Sequence, residues 1–413
     1  RRAGSNDEIA TVYLNYADAL HLAGRTEEGL ELAERGCRET APGDRSEIWL
    51  DCLRSELLFE LGRWDEAEAA LPKRSRVVAG TTRFFLLLRH ATLAVGRGDL
   101  DRGRQDVEDM RRSLVDAVEP QYIAPAGALA AELLLREGDV EAARAAVDLA
   151  IDRIEYCSEE PVRMAQVAAA GAAVEASAAQ AARDVGDEAG RELALGRAEL
   201  MVARARASEP ESSATGPAAP YLQLTVAYRL SAEAELARAA EEEAAPRALA
   251  AAAAWEELHR PYPAAIHRWR AAEALTAAGE RQKAGPVAAE ALAAAERIGA
   301  AWLAAEVEGL VARGRLQTAA GAAAGNRAGA SAGGAGASAG ADAAAAEDPF
   351  GLTPRERQVL AALARGATNR EIAAELYMAE KTASVHVSRI LGKLEVRSRT
   401  EAAAVAHRHG LGA

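Results

Sequence analysis

A glycine turn that returns at near-constant intervals constrains this chain more than any other feature. Gly24-Arg25-Thr26-Glu27-Glu28-Gly29, Gly62-Arg63-Trp64-Asp65-Glu66-Ala67, Gly98-Asp99-Leu100-Asp101-Arg102-Gly103 and Gly138-Asp139-Val140-Glu141-Ala142-Ala143 each close one apolar helical stretch and open another. The glycine suits the left-handed position that ends a helix, and the acids behind it suit the first turn of the next. Successive glycines stand 38, 36 and 40 residues apart, and weaker copies of the pattern begin at Gly186 and Gly279. That interval is two helices and two turns. It predicts a tandem array of helical hairpins, each burying its apolar face only against its neighbours.

The remaining composition agrees. Aromatics are 4% of the 413 residues, Val, Ile and Thr form no alternating runs, and Ala, Leu, Glu and Arg fill long stretches at helical spacing. The expected fold is all-α: a superhelix of repeats over residues 1–316, then a small four-helix domain with a helix-turn-helix over 350–413. The repeats resemble tetratricopeptide units but are looser, without a 34-residue period or the full set of aromatic and Pro positions. A Ser/Pro/Gly-rich stretch near 208–220 reads as a surface loop that interrupts the array once, with four or five helices resuming from Tyr221 to Arg315. Residues 317–349, almost wholly Ala, Gly and Ser, read as a flexible linker. Trp49, Phe59, Trp64, Phe84 and Phe85 are expected to pack between repeats rather than line a ligand pocket.

Charge is segregated. From Phe350 onward there are ten Lys or Arg against six Asp or Glu, a balance of +4 that leaves −17 for the rest of a chain with net charge −13. Only the tail is expected to attract phosphate. Cys37, Cys52 and Cys157 stand far apart, an odd set suited to a reducing compartment, and His407 and His409 are the only close pair of histidines. Neither pattern has metal-ligand spacing. No run of 18 apolar residues predicts a membrane span, so a cytoplasmic location is expected. The chain opens Arg1-Arg2-Ala3 with neither Met nor a signal segment, and reads as a fragment of a longer protein.

The tail carries the sharper motifs. Thr353-Pro354-Arg355-Glu356 has an N-cap, a Pro at the first helical position and a Glu for a capping box. That helix is expected to turn Val359, Leu360 and Leu363 inward and end near Gly366. A second helix starts at Thr368 or Asn369 and buries Ile372, Ala373 and Leu376. A third, about 380–394, buries Ala383, Val387, Ile390, Leu391 and Leu394 as one stripe. Its opposite face is small, polar and basic, a surface that approaches base edges without an apolar obstruction. Lys381, Thr382, Arg389 and Lys393 are placed for phosphate contact, and Ser384, Val385 and Ser388 for base edges, with Val385 suited to a thymine methyl. Asn369 and Arg370, opening the second helix, complete the candidate DNA-contact set. Ser398-Arg399-Thr400-Glu401 is another capping box, and the fourth helix it opens offers a surface for a twofold mate, matching two half-sites on a duplex.

These residues resemble the DNA-binding domain of LuxR-type regulators. The resemblance rests on Leu352-Thr353-Pro354-Arg355-Glu356-Arg357, Glu371-Ile372-Ala373, Lys381-Thr382, Val385-His386-Val387, Ile390-Leu391 and Arg399-Thr400-Glu401-Ala402, with the positions between them. It departs at Ala379, where the family has a Ser cap, and at Glu395, where it has Gly; each costs about 1 kcal/mol where the backbone follows the family. Arg260-Pro261-Tyr262-Pro263 and Arg268-Trp269-Arg270-Ala271-Ala272-Glu273 extend the resemblance to the large ATP-binding regulators of the LuxR family. What this implies is a sequence-specific transcriptional regulator that contacts RNA polymerase, with repeats that sense an effector or a protein partner. No G-x-x-x-x-G-K-[ST] is present, so ATP is expected only where an ATPase module precedes these residues. No other cofactor and no catalytic residue is expected: acid runs such as Glu241-Glu242-Glu243 read as solvated faces. The alternative reading is a helical-repeat interaction scaffold with a non-functional tail.

Overall fold

A computed structural model of the chain describes residues 6–40, 45–73, 79–113, 120–157, 160–209, 222–317 and 354–365. Beyond these it describes 367–368, 371–372, 387, 390–391, 393–394, 396, 402–403 and 405–406. Among the described residues all regular structure is helical, and the chain divides into two compact units, Arg1–Ser331 and Ala332–Ala413.

Among its described residues the first unit is seven helical hairpins and a closing helix. The pairs are α1 (Asn6–Leu22) with α2 (Thr26–Glu39), α3 (Arg45–Glu60) with α4 (Trp64–Ala70), α5 (Gly80–Arg97) with α6 (Leu100–Ser113), and α7 (Pro120–Arg136) with α8 (Val140–Cys157). Then come α9 (Pro161–Val185) with α10 (Glu188–Ala207), α11 (Leu222–Ala240) with α12 (Ala244–Glu257), α13 (Pro261–Ala277) with α14 (Arg281–Ile298), and α15 (Ala301–Gly314). The first helices α1, α3, α5, α7, α9 and α11 pack one on the next. Helix α11 packs directly on α9 and α10; the loop residues 210–221 and the linker stretch 318–349 lie outside the described residues.

The turn glycines do what their spacing predicts. Gly24, Gly62, Gly98, Gly138, Gly186 and Gly279 all have φ between +71° and +89°. The residue after each returns its N–H to the carbonyl five positions back, as Arg63 does to Leu58 (2.8 Å) and Asp139 to Leu134 (2.9 Å). In three turns the next acid caps the following helix: Asp99, Asp139 and Asp187 accept from the backbone N–H of Arg102, Ala142 and Gly190 at 3.2, 3.1 and 3.0 Å. Between α11 and α12 no glycine is available, and Glu241 (φ +59°) and Glu243 (φ +50°) take the left-handed conformation instead.

The stack curls back on itself. Leu258 packs against Gly24, Pro261 and Ile298 against Gly62, and Trp302 against Gly98, so the last hairpins lie along the turns of the first three. Trp64, fully buried, stacks on Phe59 with rings 4.7 Å apart and meets Tyr262 edge-on at 5.0 Å. Arg136 of α7 donates to the Tyr262 hydroxyl at 2.6 Å and lies 3.8 Å from the centre of the Trp302 ring. The Arg260–Tyr262 segment singled out in the sequence is the seam of this closure. Buried Arg260 reaches Glu60 at 3.3 Å and the His21 carbonyl at 3.4 Å. Small residues let the middle pack tightly: Ala165, Ala168, Ala172, Ala176 and Ala179 of α9 are fully buried at helical spacing. Buried Glu175 on the same helix is held by Arg144 of α8 (2.6 Å) and Arg197 of α10 (2.6 Å).

Candidate nucleic-acid interface

The described residues of the second unit gather around one apolar cluster. Helix α16 (Pro354–Ala364) contributes Val359, Leu360, Ala362 and Leu363, all buried. Against them pack Ile372, Val387, Ile390, Leu394, Ala402, Val405 and Ala406, with Leu391 and Val396 partly covered. The cluster contains every inward residue expected from periodicity that is described, from Val359, Leu360 and Leu363 through Ile372 and Val387 to Ile390, Leu391 and Leu394. Ala373, Leu376 and Ala383 lie outside the described residues, as do Thr353 and the Ser398–Glu401 box.

Local hydrogen bonding fixes the element boundaries. The Ala367 N–H closes on the Ala362 carbonyl at 3.2 Å and the Val396 N–H on the Leu391 carbonyl at 3.0 Å, both five residues back, the bond that finishes a helix. The second helix starts on a capping box that sequence reading passed over. Thr368 N–H and Oγ1 both donate to Glu371 Oε2, at 2.7 and 2.8 Å, and Glu371 N–H returns to Thr368 Oγ1 at 3.3 Å. These bonds, backbone first, hold the Glu371 carboxyl below its ordinary range. The Thr-x-x-Glu spacing was the available signal.

Of the candidate DNA contacts, Lys393 is described: it is exposed on a helical turn whose neighbours Ile390 and Leu394 are buried, so its side of the helix faces away from the core. Lys381, Thr382, Ser384, Val385, Ser388, Arg389, Asn369 and Arg370 lie outside the described residues.

Residues 351–406 match the family model described as bacterial regulatory proteins, luxR family. The C-terminal segment is a LuxR-type helix-turn-helix domain. Curated relatives agree with the LuxR-type domain: the uncharacterized transcriptional regulatory protein YhcZ of Bacillus subtilis is 49% identical over 65 residues, which is 16% of this chain and 30% of that protein. The transcriptional regulatory protein LiaR of the same organism is 48% identical over 60 residues, 14% of this chain and 28% of its own. The DNA-binding transcriptional activator DevR/DosR of Mycobacterium tuberculosis is 47% identical over 64 residues, 15% and 30%. The chain thus spans less than a third of the length of these relatives. All three are transcription regulators. By fold, the chain is similar to a Rap protein solved with Competence and Sporulation Factor, at TM-score 0.50 and 12% identity, covering 74% of this chain and 88% of that one. The LuxR-type domain therefore follows a Rap-like helical-repeat superhelix.

Among the described residues the superhelix holds one Ser–His contact of the kind that activates a nucleophile elsewhere, and its geometry argues against that use. Ser231 Oγ donates its hydrogen to the Ala227 carbonyl at 2.9 Å and accepts from Trp255 Nε1 at 2.8 Å. His267 Nε2, at 2.8 Å, must then donate to Ser231 rather than take its proton. Both side chains are buried, and burial pushes His267 down to about 4, so it stays neutral as a structural donor. The thiols are equally quiet: burial raises Cys37 to about 11 and Cys52 to about 12.

Proposed function

We propose that the chain is a sequence-specific DNA-binding transcriptional regulator. In this reading the helix at about 380–394 enters the major groove, and the repeats sense an effector or a protein partner. The observation that carries it is the family match over 351–406 on a segment whose apolar core closes around α16. A packed core is what a recognition helix needs, because base readout demands that the helix be held at a fixed angle to the duplex. Lys381, Thr382, Arg389 and Lys393 take phosphates; Ser384, Val385 and Ser388 face base edges; Asn369 and Arg370 add contacts from the helix before. The exposure of Lys393 beside buried Ile390 and Leu394 supports this division of faces.

Segregated charge supports the same assignment, since only the tail is basic. The last helix then serves a twofold mate and the assembled regulator meets RNA polymerase in the cytoplasm; among the described residues no helix is long and apolar enough to cross a membrane. The test is Lys381→Ala in the full chain. Binding should weaken alike on all duplex sequences, and the slope of log affinity against log salt should fall by about 0.9. An unchanged slope removes Lys381 from the phosphate contacts.

A further inference from the structure

Five first helices, α1, α3, α5, α7 and α9, send side chains into one cavity of about 110 Å³ in the repeat unit. Its wall is an aromatic run from helix to helix: the Trp49 and Phe85 rings are 5.8 Å apart, and Phe85 meets Tyr122 edge-on at 4.7 Å. Exposed Asn15 and Gln121 stand at its rim, so the cavity reaches the surface.

The charges inside it do not close among themselves. Arg89 is paired with Glu56 at 2.9 Å. Arg163, 7% exposed, has only the Gln166 side-chain oxygen at 3.5 Å, and its Nε is buried without a partner among the described residues. Among those residues no carboxylate comes within 4.0 Å of it. Asp18, which lines the same cavity, likewise has no ion pair or side-chain hydrogen bond among the described residues. Burial above all raises the Asp18 carboxyl to about 6, against the pull of Arg163 and Arg89. A buried guanidinium lacking its carboxylate and a half-buried, poorly hydrated carboxylate lacking an ion pair are each costly, and one bound molecule carrying both charges relieves both.

We propose that this cavity binds a free α-amino acid, with its carboxylate on the Arg163 guanidinium, its ammonium on Asp18 and a short apolar side chain along Trp49 and Phe85. Volume decides between zwitterions. A space of about 110 Å³ between Asp18 and Arg163 suits an amino-acid head with a short side chain better than a peptide, whose two charged ends lie farther apart. The assignment deepens the sensing part of the reading above and rests on it for its role, though the site itself does not depend on DNA binding.

The experiment is thermal unfolding and calorimetric titration of the full chain with each protein amino acid at millimolar concentration. One or a few with small apolar side chains should raise the unfolding midpoint. Their N-acetyl and amide derivatives should not, and Arg163→Gln and Asp18→Asn should each weaken binding about tenfold or more. Asp18→Asn removes a poorly solvated charge and is expected to fold, so it carries the test alone where Arg163→Gln does not. No midpoint shift with any amino acid, equal binding of an N-acetyl derivative, or undiminished affinity in Asp18→Asn overturns the site. Binding that leaves DNA affinity unchanged keeps the site and overturns its sensing role.

Discussion

His267 and His21 show how single buried groups set the conditions under which this array is stable. Burial is the largest influence on both, pushing His267 to about 4 and His21 well below its ordinary value, with Arg270 and Arg238 near the first and Arg260 near the second reinforcing it and Glu235 opposing it at His267. Each is neutral when folded and gains a proton when unfolded below about pH 6.5. The unfolded chain therefore binds more protons between about pH 6.5 and 4, and stability falls as pH falls through that window. For His267 alone the full loss is about 3 kcal/mol. Asp18 runs the other way, its raised carboxyl taking a proton in the folded state near pH 6, but one group opposes two. Denaturant unfolding from pH 7 to 4 should show a falling midpoint, with a shallower fall in His267→Gln. An equal fall in that variant would place the acid sensitivity elsewhere.

At the level of elements, three of the glycine turns, at Gly24, Gly62 and Gly98, carry two burdens that the sequence showed as one. All have left-handed backbone, which the spacing and the following acids made legible. The second burden, close approach by a helix from the far end of the array, was not legible, because it joins residues about two hundred positions apart. A Cβ at Gly62 would lie 2.6 Å from Pro261 Cγ and 2.9 Å from Ile298 Cγ2, whereas one at Gly138 meets nothing within 4 Å. Gly138→Ala should cost only the backbone strain, about 1–2 kcal/mol; Gly62→Ala adds overpacking of about 1–3 kcal/mol. Equal losses in chemical unfolding would mean that α13 and α14 do not press on that turn. The turn from Glu241 to Glu243 escaped sequence reading for a related reason: packing imposes its left-handed conformation on residues with no propensity for it.

For the whole molecule, the all-α class and the tail's core were readable because both follow from local periodicity, as Val359, Leu360, Ile390 and Leu394 show. The Thr368–Glu371 box was equally local and went unread. Trp64 and Phe84 pack between repeats as expected; Trp49 and Phe85 also meet across α3 and α5 but line a cavity as well, a difference decided by how the first helices stack rather than by either residue's sequence neighbours. The Asp18 and Arg163 pair was invisible for the same reason: 145 positions separate them in the sequence, and only stacked first helices bring them to one cavity.

In the proposed function the basic tail gives an acidic chain its affinity for duplex DNA. Fluorescence anisotropy of the full chain against a pool of duplex DNA, across a salt series, tests it most directly. Binding is expected with log affinity falling against log salt at a slope of roughly −3 per bound chain, from the three cations assigned to phosphates, Lys381, Arg389 and Lys393. No binding even at low salt would contradict it and leave the repeats as the working part of the molecule.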